Sequence, residues 1–164
     1  MRLLDPRQIR QKIQRLAIEI VEHNHREEEI VLAGINDNGM RFARLLAAEI
    51  HAQGLTRAFL TRIRLNPAAP LEGSIEIEAP EQRLEGKVIV IADDVANTGR
   101  TIFFACRPIM EILPKKVQVA VLVDRTHKSF PISVNFVGLS LATTLRQHID
   151  VHLSEERQAE VLLK

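Results

Sequence analysis

The densest chemistry in this 164-residue sequence lies between residues 88 and 101. Val88-Ile89-Val90-Ile91-Ala92 is an apolar run, followed by Asp93-Asp94 and then by Asn97-Thr98-Gly99-Arg100-Thr101. Such an order reads as a buried strand delivering two adjacent carboxylates to the edge of a sheet, then a short loop, then a helix starting near Arg100 or Thr101. Free N–H groups at a helix start, together with the hydroxyls of Thr98 and Thr101, form a cradle for phosphate. Gly99 allows close approach and unusual dihedrals. Two carboxylates repel phosphate, so they are better used as acceptors from vicinal hydroxyls such as those of a ribose. An isolated Asp-Asp pair would merely cap a helix; the flanking strand and loop favour the functional reading.

Other chemistries find no support. There is no Gly-x-Ser-x-Gly elbow and no Gly-x-x-x-x-Gly-Lys-Ser/Thr loop, and the six His are scattered without ligand spacing, so no protein-held metal site is expected. The single cysteine, Cys106, excludes an intrachain disulfide and a thiolate zinc site, and fits a small apolar role in a reducing cytoplasm. No apolar run reaches the length of a membrane span, and the first residues lack the apolar core of a signal peptide, so a cytoplasmic protein without membrane partners is expected. Lys and Arg number 22 against 21 Asp and Glu, a balance that disfavours general nucleic-acid binding. The absence of Trp and Tyr disfavours base-stacking platforms.

The surrounding elements must position the segment. Asp5, Pro6 and Gln8 signal a helix start, and Ile9, Ile13, Leu16, Ala17, Ile20 and Val21 recur at helical spacing up to about His23-Asn24-His25. Ile30 to Gly34 predicts a buried strand entering a tight loop, Asn36-Asp37-Asn38-Gly39, before a helix from Met40 to Gln53 that Gly54 stops. Ala58 to Leu65 predicts a strand. Residues 66–86, with three Pro and two Gly, predict a mobile excursion in which Ser74 to Glu78 alternates like an exposed strand. Pro108 should shorten the helix after Thr101. Val117 to Val123, ending at Asp124-Arg125, is a further buried strand; Val134 to Leu139 and Ile149 to Leu153 are weaker ones, and residues 155–158 read as a solvated end. Alternating strands and helices with continuous apolar runs predict one α/β domain: a twisted parallel sheet flanked by helices. In such sheets ligands bind beyond the carboxyl ends of the strands.

Residues 88–101 resemble the phosphoribosyl-pyrophosphate (PRPP) signature of type I phosphoribosyltransferases. Ile30 to Ile50 resembles the strand, pyrophosphate loop and helix of the pyrimidine-operon attenuator/uracil phosphoribosyltransferase family. Leu122-Val123-Asp124-Arg125-Thr126-His127-Lys128, Pro131-Ile132 and Phe136-Val137-Gly138 resemble its later region. The resemblance implies a single domain over 1–164 with a flexible hairpin at about 66–86 and a small hood at about 124–150. It implies that Asp93 and Asp94 hold the ribose hydroxyls, that Ala96, Asn97, Thr98, Gly99, Arg100 and Thr101 wrap the 5′-phosphate, and that Ile35, Asn36, Asp37, Asn38 and Gly39 approach the pyrophosphate. Asp124 and Thr143, Thr144, Leu145 and Arg146 would lie near the nucleobase. It also implies magnesium bound mainly through PRPP, and a homo-dimer or higher oligomer.

Three positions depart from the family pattern. Asn36-Asp37-Asn38 stands where the family has Lys-Thr-Arg, replacing two cations by one anion. Arg62 and Arg64 precede Asn66-Pro67 in place of a Tyr-Arg-Asp-Asp-like entry to the hairpin; they read as solvated edge residues or as charge for the pyrophosphate. Asn97 stands where purine-specific members often carry an acid, and an amide takes no proton at neutral pH. The expectation is a PRPP-dependent transferase acting on a pyrimidine-like base such as uracil. The alternative is a catalytically weakened nucleotide-binding regulator of pyrimidine metabolism, with RNA the less favoured partner than PRPP, a nucleobase or a nucleoside monophosphate.

Overall fold

The computed structural model describes residues 1–142, 147–153 and 159–164. Its main sheet has six strands in the order β4-β3-β2-β5-β6-β7: Glu76–Ile77, Arg57–Arg64, Glu29–Ile35, Val88–Ala96, Lys116–Arg125 and Phe136–Leu141. All neighbours are parallel except β3–β4, a short antiparallel hairpin with Ile63 opposite Ile77. The chain runs outward from β2 to β3 on one side and from β5 through β6 to β7 on the other. The switch point therefore falls between β2 and β5, with Gly34 opposite Ala92 near their carboxyl ends.

The continuous apolar runs are explained by two cores. Ile30, Leu32, Val88, Val90, Ala120 and Leu122 face the helices α1, Pro6–His23, and α2, Asn36–Gln53. Val31, Ala33, Ile89, Ile91, Val119 and Val121 face Ile102, Ala105 and Ile109, from α3, Arg100–Ala105, and the 3-10 turn Arg107–Glu111. Both faces of each central strand are thus buried. Each fully buried Leu, Ile or Phe side chain contributes about 1.5–3 kcal/mol relative to exposure. α1 begins with the capping box expected from Asp5 and Gln8: Gln8 N–H donates to Asp5 Oδ1 at 2.8 Å and Asp5 N–H to Gln8 Oε1 at 3.0 Å. Lys12 and Arg15 of α1 donate to the carbonyls of Val137 and Gly138 on edge strand β7.

Several boundaries differ from the sequence expectation. Asn36-Asp37-Asn38-Gly39 is not a loop but the first turn of α2. Asn36 makes this sharp entry with φ 50°, a left-handed value that Asn tolerates. Its amide is clamped to Leu65, donating to the carbonyl at 2.9 Å and accepting from the N–H at 3.1 Å. β5 runs through Asp93-Asp94 to Ala96, because pairing with β6 continues as far as Ala96 opposite Asp124. The exposed strand expected at 74–78 is reduced to Glu76–Ile77. As expected, Pro108 limits the helix: α3 ends at Ala105 and tightens into the 3-10 turn.

Of the second sheet only one strand was expected, Ile149 to Leu153, and it is present as Ile149–His152; the other two strands were not foreseen. Arg2–Leu4 (β1) and Glu160–Leu163 (β9) pair antiparallel with each other, and β9 pairs with Ile149–His152 (β8). Leu4, Ile149, Ala159 and Val161 are buried in the same core as α1 and α2. Residues 155–158, read as a solvated end, lie outside the described residues.

Two glycines allow α2 to start where it does. A Cβ on Gly34 would lie 2.5 Å from Met40 Cα, and one on Gly39 would lie 2.5 Å from the Ala92 carbonyl oxygen. These are backbone atoms that cannot swing aside. Gly34→Ala and Gly39→Ala should each lower unfolding free energy by about 1–3 kcal/mol, measured as a reduced urea midpoint; midpoints matching the parent's would refute the close approach.

Candidate active site

β5 carries Asp93 and Asp94 to the switch point. Asp94 N–H donates to Asp93 Oδ1 at 2.9 Å and Val95 N–H donates to Asp94 Oδ1 at 2.9 Å. Asp93 is buried. Burial first, then the charge of Asp94, push its carboxyl well above the usual carboxylate range. Asp94 is also raised, again mainly by burial, while hydrogen bonds from Asp93, Val95 and the Asn38 side chain oppose the shift. The two carboxyls share a hydrogen bond and titrate as a pair. A pair of this kind both accepts from and donates to neighbouring hydroxyls.

Beyond them the chain folds into a cup. A cavity of about 500 Å³ is lined by Val95 to Ile102 together with Pro67 and Ala68. Gly99 has φ 85° and caps α3. A Cβ there would meet Ile132 Cβ at 3.2 Å and Lys128 Cδ at 3.4 Å. The Thr98 carbonyl accepts from the N–H groups of Ser129 and Phe130 at 3.0 and 3.1 Å, so residues 126–132 buttress the cup from outside. With only six residues in α3, the donors here are individual N–H groups and hydroxyls rather than a long helix dipole.

A second cavity of about 360 Å³ adjoins the first and shares Pro67 and Thr101 with it. It is lined also by Ile35, Asn36, Asp37, Asn38, Asp93 and Asp94. The fold therefore brings residues 35–39, 93–94 and 96–101 together around one cleft. Each side chain at the start of α2 has a protein partner. Asn36 binds Leu65, Asn38 accepts from Arg41 Nη1 at 3.3 Å and bonds Asp94, and Asp37 pairs with Arg62 Nη1 at 3.0 Å. Arg64 pairs with Glu78 across the hairpin at 2.8 Å.

Asp124 stands at the end of β6, where Lys128 Nζ donates to it at 2.6 Å. Lys128 also donates to the Arg125 carbonyl, so its charge is turned inward. Arg125 Nη1 donates to Asn97 Oδ1 at 3.3 Å. Thr143, Thr144, Leu145 and Arg146 lie outside the described residues. Cys106 Sγ donates to the Ile102 carbonyl at 3.3 Å, and burial raises its thiol pKa, as befits a packing residue.

Sequence reading placed Pro67 and Ala68 only within the 66–86 hairpin and missed the Arg62–Asp37 pair. Arg100 Nη2 donates to the Pro67 carbonyl at 2.8 Å, joining the start of the hairpin segment to the cup. The one available signal was the alternation of Arg62 and Arg64. Nothing local showed which acid each would meet.

A parallel sheet with a carboxylate pair and a cup of loop and helix-start residues at its switch point defines the class: the chain belongs to the phosphoribosyl transferase domain family, which it matches over residues 2–156. Among its relatives are proteins named Bifunctional protein PyrR. That of Pelotomaculum thermopropionicum is 36% identical over 163 residues, covering 93% of this chain and 88% of the relative. That of Herpetosiphon aurantiacus is 38% identical over 161 residues, covering 93% and 89%. The resemblance to pyrimidine-operon attenuator/uracil phosphoribosyltransferases therefore holds over most of the chain. Solved structures confirm the fold. A hypoxanthine-guanine phosphoribosyltransferase from Bacillus anthracis superposes with a TM-score of 0.70 at 21% identity, covering 85% of this chain and 81% of that one. A hypoxanthine phosphoribosyltransferase from Staphylococcus aureus gives 0.72 at 17%, covering 86% and 77%. Among the described residues no helix is long and apolar enough to cross a membrane.

The raised carboxyl pKa of Asp93 has a definite sign. The folded state holds this proton more tightly than the unfolded chain does, so folding is favoured at low pH and stability is lost as pH rises through the folded pKa. Asp93→Asn should therefore melt about 2–4 °C above the parent at pH 8. The gap should close as pH falls below the ordinary Asp value of about 3.9, towards pH 3, where the parent carboxyl is protonated in both states. Melting curves at the two pH values check this; a gap independent of pH would contradict it.

Proposed function

We propose that this phosphoribosyltransferase moves ribose 5-phosphate from PRPP to a pyrimidine-like base, uracil being the first candidate. The observation that carries the proposal is the pair of adjoining cavities that share Pro67 and Thr101, one formed by residues 95–102 and the other lined by Asp93, Asp94 and the start of α2. In this reading Asp93 and Asp94 accept the ribose hydroxyls, and Ala96 to Thr101 wrap the 5′-phosphate. The backbone of residues 35–39 meets the pyrophosphate. A base nitrogen forms a bond to ribose C1 as the C1–O bond breaks; pyrophosphate leaves with the electron pair, and the proton of the base N–H passes to the departing pyrophosphate or to solvent. The carboxylates also lie where positive charge develops on the ribose ring.

Magnesium fits this chemistry. Among the described residues no three or more His, Cys, Asp or Glu side chains cluster to hold a metal. The acidic pair would take up water ligands of a magnesium held mainly by the diphosphate and ribose oxygens. The ion, once bound, would offset charge on the leaving group. Residues 66–86 are assigned as the hairpin that closes over the cleft and excludes water. Residues 124–150 are assigned as the hood, with Asp124 and Thr143, Thr144, Leu145 and Arg146 near the base. Asn97 favours a pyrimidine, since it offers no carboxylate to carry a proton to a purine. A homo-dimer or higher assembly and a cytoplasmic setting belong to the same proposal, the lone cysteine, Cys106, suiting a reducing compartment.

One observation favours the regulator as a second reading. The side chains of Asn36, Asp37 and Asn38 are all engaged within the protein, and none is cationic. RNA is the less favoured partner in either case, with a net charge of +1 and Lys128 committed to Asp124.

Ligand-dependent melting tests the assignment. A ligand at 100 times its Kd stabilises by about 2.7 kcal/mol. PRPP with magnesium and uridine 5′-monophosphate should both raise the melting temperature, Asp94→Ala should abolish both effects, and uracil with PRPP should yield the monophosphate. Stabilisation by the monophosphate without any by PRPP would remove the transferase reading and leave the regulator.

A further inference from the structure

Of the contacts at the start of α2, the Asp37–Arg62 pair is the only one between opposite charges, and it is lopsided. The Asp37 side chain is 74% exposed and lines the cavity that holds Asp93 and Asp94; the Arg62 side chain is 18% exposed. Arg62 spends Nη1 on Asp37, while its Nε is buried with no hydrogen-bond partner among the described residues. A buried guanidinium N–H without an acceptor is costly and asks for a reason.

Strand register supplies one. Arg62 lies opposite Gly34, one residue before β2 ends and the chain turns into α2. The first turn of α2 has no side-chain cap, so its N–H groups are available to an anion. Arg64, two residues on, is committed to Glu78, and Arg41 is exposed and bonded to Asn38. Arg62 is thus a half-buried cation on the strand beside the turn where a diphosphate would lie, and its planar fork suits phosphate oxygens. An exposed carboxylate on a partly buried guanidinium is a weak and easily exchanged partner.

We propose that Asp37 is an internal counter-ion that holds Arg62 until the diphosphate of an incoming substrate takes its place. Arg62 then delivers from β3 the positive charge that residues 36–38 lack. The proposal rests on the PRPP reading of the cleft and assigns its pyrophosphate end. A nucleoside monophosphate seated in residues 96–101 has no call on Arg62, so the pair acts only on ligands that carry a diphosphate.

The probes are inorganic pyrophosphate with magnesium and uridine 5′-monophosphate, each titrated calorimetrically into the full chain. Asp37→Asn should bind pyrophosphate about three- to tenfold tighter, since it removes both a competitor and a like charge. Arg62→Gln should weaken pyrophosphate binding at least about tenfold, with Arg62→Lys between it and the parent. Monophosphate affinity should stay within about twofold in all three variants, which also reports that they are folded. Unchanged or weaker pyrophosphate binding by Asp37→Asn, or parent-like binding by Arg62→Gln, overturns the counter-ion while monophosphate binding leaves the PRPP reading standing. Failure of the parent to bind either probe overturns both.

Discussion

The site depends on how closely the start of α2 approaches the carboxyl end of β5. Gly34 and Gly39 remove the two Cβ atoms that would collide with Met40 and with the Ala92 carbonyl. With those atoms gone, the first turn of α2 lies against the strand end that bears Asp93 and Asp94, and the Asn38 side chain reaches Asp94. A wider gap would separate the two loops at the switch point, leaving two shallow hollows instead of one cleft. The clamp of Asn36 on Leu65 fixes the same turn from the β3 side. Backbone in the left-handed region costs energy, and it is retained here next to the candidate site.

Electrostatics at this cleft trade stability for binding. Two neighbouring carboxyls at the end of a buried strand are desolvated and repel each other, which the fold tolerates because three backbone and side-chain donors partly offset the cost. The opposite sign is scarce. Of the arginines nearby, Arg64 is matched to Glu78, Arg62 to Asp37, and Arg100 is spent on the Pro67 carbonyl. The near-zero net charge of the chain therefore reflects local pairing as well as overall composition, and what the cleft offers an anion depends on which pairs open.

Much of the central sheet was legible because its strands are buried on both faces. Val88 to Ala92 and Val117 to Val123 read as strands directly, and the Asp5–Gln8 capping box and the α1 stripe were likewise visible. Boundaries were less so. Polar residues usually end a strand, yet Asp93 and Asp94 remain inside β5 because β6 continues alongside. Asn36 to Gly39 looked like a loop, and only the clamp to Leu65 turns it into a helix start. The short strands at the two ends of the chain left no local pattern at all, since each of Arg2–Leu4 and Glu160–Leu163 is stabilised by the other.

By itself the sequence determined the strand–carboxylate–loop unit of residues 88–101 and the alternation of elements that places such a unit at a sheet edge. Those features are local, written in apolar runs and in residues with strong turn and capping preferences. Tertiary structure alone decided that residues 35–39 meet Asp93 and Asp94 and that Arg62 finds Asp37. Both contacts join residues from different elements, on opposite sides of a strand crossover. No local preference encodes them; they follow from the parallel register and from the two glycines that let backbone touch backbone.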